Sequence, residues 1–442
     1  MEKVNEKHEA LTAQEVTAQY YDEGTRWLPL DLAATLYAAS RTKKWSRTFR
    51  TCVVLDEEID PVVLQQALDD TIKRFPTFKM KLRDGLFWSY FERVKNNPKV
   101  QLETKYPYRP IIIEGTDEPC FRILYYKNRI AIEAFHSLTD GGGSSVFLDT
   151  LVGRYLQLRG ETISFGETVR NVCEKQTVDE AKDSHFDYYD SSVSASNPPT
   201  IKAYANENNT IPNYANVIHG MCRVDEIKAL AKTKSLTITE YLTALLIYTF
   251  CQCADAPITE PIAISVPMDL RKRFESVSVR NFVYMTDITF CPEGRTDVTF
   301  DEICDTIRGE LKKRATPENL LKSISSNASA RVSPIIKPIP YFIKKAFLNN
   351  KYKKLQSAYT TFFTNLGEYH YPEEVAKHVL RVESVLADTP YMHFGCAAVS
   401  INGLFNFTFC SSNRNKDKQR FFFRYLAQQG IKVRVESNVD YE

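Results

Sequence analysis

One junction limits this chain more than any other stretch. In "RIAIEAFHSLTDGGGSSVFLDTLVGRYLQLRG" a β-rich run meets an amphipathic run across His136, Asp140 and three consecutive glycines, Gly141, Gly142 and Gly143. Ile130, Ile132, Ala134 and His136 fall on one face, because side chains alternate along a strand. The run "FRILYY" precedes it, with Lys127 and Asn128 between, so the two read as a hairpin. Val146, Phe147, Leu148, Leu151, Val152, Tyr155 and Leu156 then mark a helix, with Ser144 or Ser145 as the expected cap and Gly160 as its stop.

An imidazole ending an apolar row is desolvated, which keeps it neutral and able to accept a proton near neutral pH. Asp140 can orient that ring, or brace the loop by pairing with a cation. The glycines permit positive φ or a close backbone approach, as a ligand pocket needs. The plain alternative is a structural histidine beside an ordinary Asp-Gly turn. A metal site is not expected, because His136 and Asp140 straddle a turn with no second histidine or carboxylate nearby. A phosphate cradle is poorly supported: the junction lacks the Lys-Ser/Thr of a P-loop and is not GxGxxG.

The rest of the chain alternates β and α patterns. "SRTFRTCVVLD" alternates like a strand, and Asp60 and Pro61 then open a helix ended by Pro76. Residues 182–216, with "SSVSASNPPTIKAYANENNTIPNYAN", are rich in Ser, Asn and Pro and aperiodic, and read as a crossover linker. It divides a first lobe, 1–181, from a second, 217–442. In the second, Thr237 or Thr239 caps a helix, "PIAISVPMDLRKRF" and "RNFVYMTDITF" are strands, and Asn402-Gly403 is a two-residue hairpin turn. At 442 residues, two domains of ordinary size fit.

Charge excludes one function class: a net +2 gives no basic excess for a nucleic-acid binder. The ten cysteines form no CxxC pair and read as free thiols in a reducing compartment. The polar N-terminus lacks a secretory pattern, and no run of about 18 apolar residues suggests a membrane span. A cytoplasmic monomer is the default expectation. The segment Ile335–Leu355 carries Lys337, Lys344, Lys345, Lys351, Lys353 and Lys354 among aromatics. It reads as a solvated helix face, or as a cationic patch for ligand phosphates, a membrane or a partner protein.

"HSLTDGGG" matches HxxxDG, the signature of the CoA-dependent acyltransferase superfamily, which includes chloramphenicol acetyltransferase, plant BAHD acyltransferases and condensation domains. "VPMDLRKRFESVSVRNF" resembles that family's Arg-rich stretch before an Asn-Phe strand. "TNLGEY", Thr364 to Tyr369, resembles the SNxG motif of the standalone alcohol acetyltransferases, and the helix after Asp60 resembles the family's opening helix. The resemblance runs over roughly residues 25 to 435. Phe135 stands where condensation domains and wax ester synthases have a first histidine, and the plant DFGWG motif is absent. The first departure favours the single-histidine branch of standalone bacterial alcohol acetyltransferases, and the second means that plant-type substrates are not implied.

This resemblance implies an α/β fold of two chloramphenicol-acetyltransferase-like lobes with mixed sheets and a tunnel between them. It implies an O-acyltransferase moving an acyl group, acetyl by expectation, from acyl-CoA to a small alcohol or natural-product hydroxyl. Acyl-CoA is then a co-substrate and no cofactor is permanently bound. The alternative is condensation-like transfer from a carrier-protein thioester. His136 would be the base, with Asp140 a structural brace paired to Arg271, and Arg273 and Arg280 as rivals. Thr364 or Asn365 would serve the oxyanion. Gly141 and Gly142 would form tunnel backbone, and Asn281 would be a structural residue near it.

Overall fold

The computed structural model describes residues 26–42, 47–104, 107–108, 111, 116–193, 201–205, 215–386 and 394–438. The fold is mixed α/β, with two large sheets and a small one. The first large sheet has five strands in the order Val379–Leu386, Thr48–Leu55, Arg129–Phe135, Phe121–Tyr126, Val100–Leu102. All its pairs are antiparallel except the last. The second has seven: Val283–Phe290, Ile262–Asp269, Thr361–Glu368, Phe394–Ile401, Leu404–Ser411, Asn216–Arg223, Arg434–Ser437. Thr361–Glu368 runs parallel to both neighbours, so this sheet is mixed. Trp27–Pro29, Ser89–Arg93 and Met80–Asp84 form a small antiparallel sheet.

Local chemistry accounts for the main elements. Asp60 Oδ1 accepts from the backbone N–H groups of Val62 (2.8 Å) and Val63 (3.2 Å), and Pro61 opens the helix Pro61–Arg74. Thr237 and Glu240 form a reciprocal capping box on Ile238–Gln252. Asn402 and Gly403 turn the hairpin Phe394–Ser411 with φ of 50° and 77°, the left-handed pair a tight hairpin turn demands. The expected Gly160 stop has φ 109°.

The expected strand at Thr48–Leu55 forms and is buried at every position. Two features depart from the expectation. A helix at Leu32–Ser40, capped by Asp31, was not expected from the pattern. The serine cap predicted for the helix after the glycines is wrong: the helix starts at Gly141, its cap is Asp140, and Ser144 and Ser145 bond back to the Gly141 carbonyl.

Each large sheet has its own core. The helices Pro61–Arg74 and Gly141–Leu158 pack together over the first sheet around Phe75, Phe78 and Phe147. Ile238–Gln252, Phe300–Ile307 and Asp417–Gln428 do the same for the second. The chain passes between the sheets more than once, since the strand Val379–Leu386 leaves the second and completes the edge of the first beside Thr48–Leu55. Of the expected linker, residues 184–188 form a 3₁₀ turn, whereas 194–200 and 206–214 lie outside the described residues. No helix among the described residues is long and apolar enough to cross a membrane.

Candidate active site

A cavity of about 2580 Å³ lies between the two large sheets and draws its lining from both. Ordinary ligand pockets hold about 300–1,000 Å³, so there is room for two substrates together. The histidine strand Arg129–Phe135 ends at this cavity, and His136 follows it directly. Its backbone N–H donates to the Arg47 carbonyl at 3.0 Å. Its ring stacks on Tyr37 (centroids 4.5 Å apart, planes at 19°) and leans on Phe49 at 4.6 Å.

Burial pushes the His136 pKa below 6.5, against the opposing pull of Asp140 and of a contact with Asn281. Nδ1 lies 3.4 Å from Asn281 Oδ1, which can only accept. An amide oxygen facing Nδ1 assigns that nitrogen the proton and makes Nε2 the acceptor of the neutral ring. Asn281 is itself held: its side-chain amide donates to Asp31 Oδ2 at 3.0 Å, and its backbone N–H to the same oxygen at 3.3 Å. Asp31 and Asn281 therefore fix the ring orientation. Sequence reading placed Asn281 near the tunnel but overlooked Asp31, whose only sequence signal was its position before an unrecognised helix.

Both Asp140 carboxylate oxygens are engaged by other groups. Its Oδ1 caps the helix by accepting from Gly143 N at 2.9 Å. Its Oδ2 accepts from Phe282 N at 2.7 Å and from Arg271 Nη1 at 3.0 Å. Arg271 also meets Asp269 at 3.0 Å and donates to the carbonyls of Ser278 (2.7 Å) and Arg280. The rival Arg280 instead approaches Asp31 at 3.5 Å. The rival Arg273 is exposed at the cavity wall beside Lys272.

The three glycines do not act through positive φ, since none of them has it. They form the first helical turn, where they allow close approach. A Cβ on Gly142 would sit 3.0 Å from Arg271 Nη1, and one on Gly143 would overlap the Val279 carbonyl and Thr139 Oγ1. The overlap cannot be relieved cheaply, because Val279 O is also held by Thr139 Oγ1 at 2.7 Å and Val279 N by Glu180 O at 2.9 Å. Gly143→Ala is therefore expected to cost about 1–3 kcal/mol, as overpacking does. Gly166→Ala, where a Cβ meets open space, should stay within about 0.5 kcal/mol. Urea midpoints of the two variants check this, and equal midpoints would refute the packing role of Gly143.

Thr364 and Asn365 both line the cavity. Asn365 is committed elsewhere, its amide donating to Thr239 Oγ1 at 3.0 Å and its Oδ1 accepting from Gly367 N at 3.0 Å. Phe135 is fully buried in the first-lobe core and does not line the cavity.

Farther along the first sheet the wall is ionic. Glu103 pairs with Arg50 (2.7 Å) and Arg129 (2.9 Å), and Glu383 with Arg381 (2.7 Å). Burial alone would raise Glu383, but His219, Arg129 and Arg381 hold it down at about 2. His219 belongs to the second sheet, 3.7 Å from Glu383, so the network also ties the sheets together.

This fold is similar to that of several solved proteins. TRI101 of Fusarium sporotrichioides, solved with coenzyme A and T-2, superposes with a TM-score of 0.61 at 12% identity, over 92% of this chain and 100% of that one. Polyketide synthase associated protein 5 of Mycobacterium tuberculosis gives 0.60 at 12% identity, over 92% and 98%. The first condensation domain of the CDA synthetase gives 0.55 at 12% identity, over 91% and 96%. No protein-family profile and no curated protein sequence matches the chain.

Proposed function

We propose that the protein transfers an acyl group directly from an acyl-CoA thioester to an acceptor hydroxyl, with His136 as general base. The observation that carries this reading is the ring itself: neutral, oriented through Nδ1, and facing a cavity large enough for donor and acceptor. Nε2 removes the hydroxyl proton as the oxygen attacks the thioester carbonyl. The C–S bond then breaks, and the imidazolium returns the proton to the departing thiolate, releasing free thiol. Thr364 is the better-placed oxyanion donor of the two candidates, because the Asn365 amide is already engaged. Lys272, Arg273 and Lys312 give one part of the wall cations suited to CoA phosphates. Acetyl is the first acyl group to try, on the resemblance of "TNLGEY" alone.

Thiol release from acetyl-CoA and longer acyl-CoAs, against a panel of alcohols and amines, tests the reading. Turnover only with a phosphopantetheinyl carrier would replace it with the condensation-like one. The pH profile adds a second check. A base acts when deprotonated, and burial lowers the His136 pKa. The acidic limb of kcat/KM should therefore bend below 6.5, the imidazole's ordinary value. A bend above that value would contradict the desolvated ring.

A further inference from the structure

The segment Ile335–Leu355 is not explained by the acyl-transfer site. It contains six lysines and no acidic residue, in a chain whose net charge is only +2. Its helix, Tyr341–Gln356, has two unlike faces. Tyr341, Lys344, Tyr352 and Gln356 are buried, and Tyr352, Leu355 and Gln356 line the cavity. On the outer face Phe342 is 72% exposed and Phe347 70%, followed by exposed Lys351, Lys353 and Lys354.

The apolar end of this helix continues onto another element. Tyr341 N donates to the Leu86 carbonyl at 2.8 Å, at the tip of the hairpin between Met80–Asp84 and Ser89–Arg93. Leu86 there is 73% exposed. The buried Lys344 ammonium donates to the carbonyls of Phe87 (3.2 Å) and Lys337 (3.0 Å) and lies 3.5 Å over the Trp88 ring. It thus staples hairpin tip, preceding loop and helix together. Large apolar side chains exposed near one another on a surface mark an interaction site.

We propose that this face docks on an anionic membrane surface. Leu86, Phe342 and Phe347 enter the headgroup–acyl boundary, and Lys337, Lys351, Lys353 and Lys354 meet lipid phosphates. Protruding side chains suit a fluid bilayer better than the surface of a folded partner; Lys345 is paired with Asp84 at 3.2 Å, which leaves Lys337, Lys351, Lys353 and Lys354 to complement anionic lipid. Because the same helix lines the cavity, and on the acyl-transfer reading above, the acceptor is an apolar hydroxyl compound taken up from the bilayer.

Flotation of the full chain with phosphatidylcholine vesicles, with and without about one-third phosphatidylglycerol, tests the docking. Binding is expected only to the anionic vesicles. The triple variant Lys351→Gln, Lys353→Gln, Lys354→Gln should weaken it about a hundredfold. Phe342→Ser with Phe347→Ser should abolish it while thiol release with a water-soluble acceptor is unchanged. No flotation of the native protein, or flotation indifferent to both variants, overturns the proposal, as does capture by an acidic carrier protein in place of vesicles. Flotation without any thiol release would leave docking standing and remove the acyl-transfer reading; thiol release without flotation would do the reverse.

Discussion

His136→Ala is expected to lower kcat/KM for acyl transfer by about 10²–10⁴-fold, the span lost with a positioned general base. The remaining rate comes from holding donor and acceptor together, which the cavity does without the ring. His136→Ala also gives up the ring contacts with Tyr37 and Phe49, so its loss should cost about 1–3 kcal/mol of stability. KM for the acyl donor should hardly move, because the imidazole is asked to act on the acceptor. The acidic limb of the pH profile should vanish with the residue that titrates. His136→Gln fills more of the space between Tyr37 and Phe49 but has no base, and should be as slow as the alanine variant. Retention of more than a third of native activity by both variants, or a persistent acidic limb, would assign the base elsewhere.

The parts of this molecule legible in its sequence are those set by local rules. Alternation and helical spacing located the His136 strand and the helix after it, and Asp60, Thr237 and Asn402-Gly403 announced their own caps and turn. The mixed architecture and the Asp140–Arg271 pair came from the resemblance, because no local pattern links residues 131 positions apart. The failures have physical causes. Asp140 displaced the serines as cap because its carboxylate serves the helix and Arg271 at once, and the first task was invisible without the second. The role of Gly143 depends on Val279, a contact made across the lobes. Asp31 was missed because its partner Asn281 lies 250 residues away. Lys344 was grouped with the exposed lysines, although the Trp88 ring and two carbonyls bury it.

Asp140→Ala should destabilise the protein by about 3–5 kcal/mol, the cost of breaking a buried pair from one side. Three donors lose their acceptor at once: Gly143 N, Phe282 N and Arg271 Nη1. The cap accounts for about 1 kcal/mol. Most of the rest is the Arg271 charge, which keeps only the partly exposed Asp269 as a carboxylate partner. Asp140→Asn should fall between, since its amide oxygen can still cap Gly143 but carries no charge. Urea denaturation gives these differences, and an unchanged midpoint for the alanine variant would dismiss the brace. Activity separates a brace from a catalyst. Phe282 follows Asn281, so releasing its N–H loosens the group that orients His136, and kcat should drop. Asp140 also raises the His136 pKa against burial. Without that carboxylate the imidazole becomes harder to protonate, so the acidic limb of the residual activity should move to lower pH. A carboxylate that exchanged protons with substrate would instead take a limb of the profile away with it.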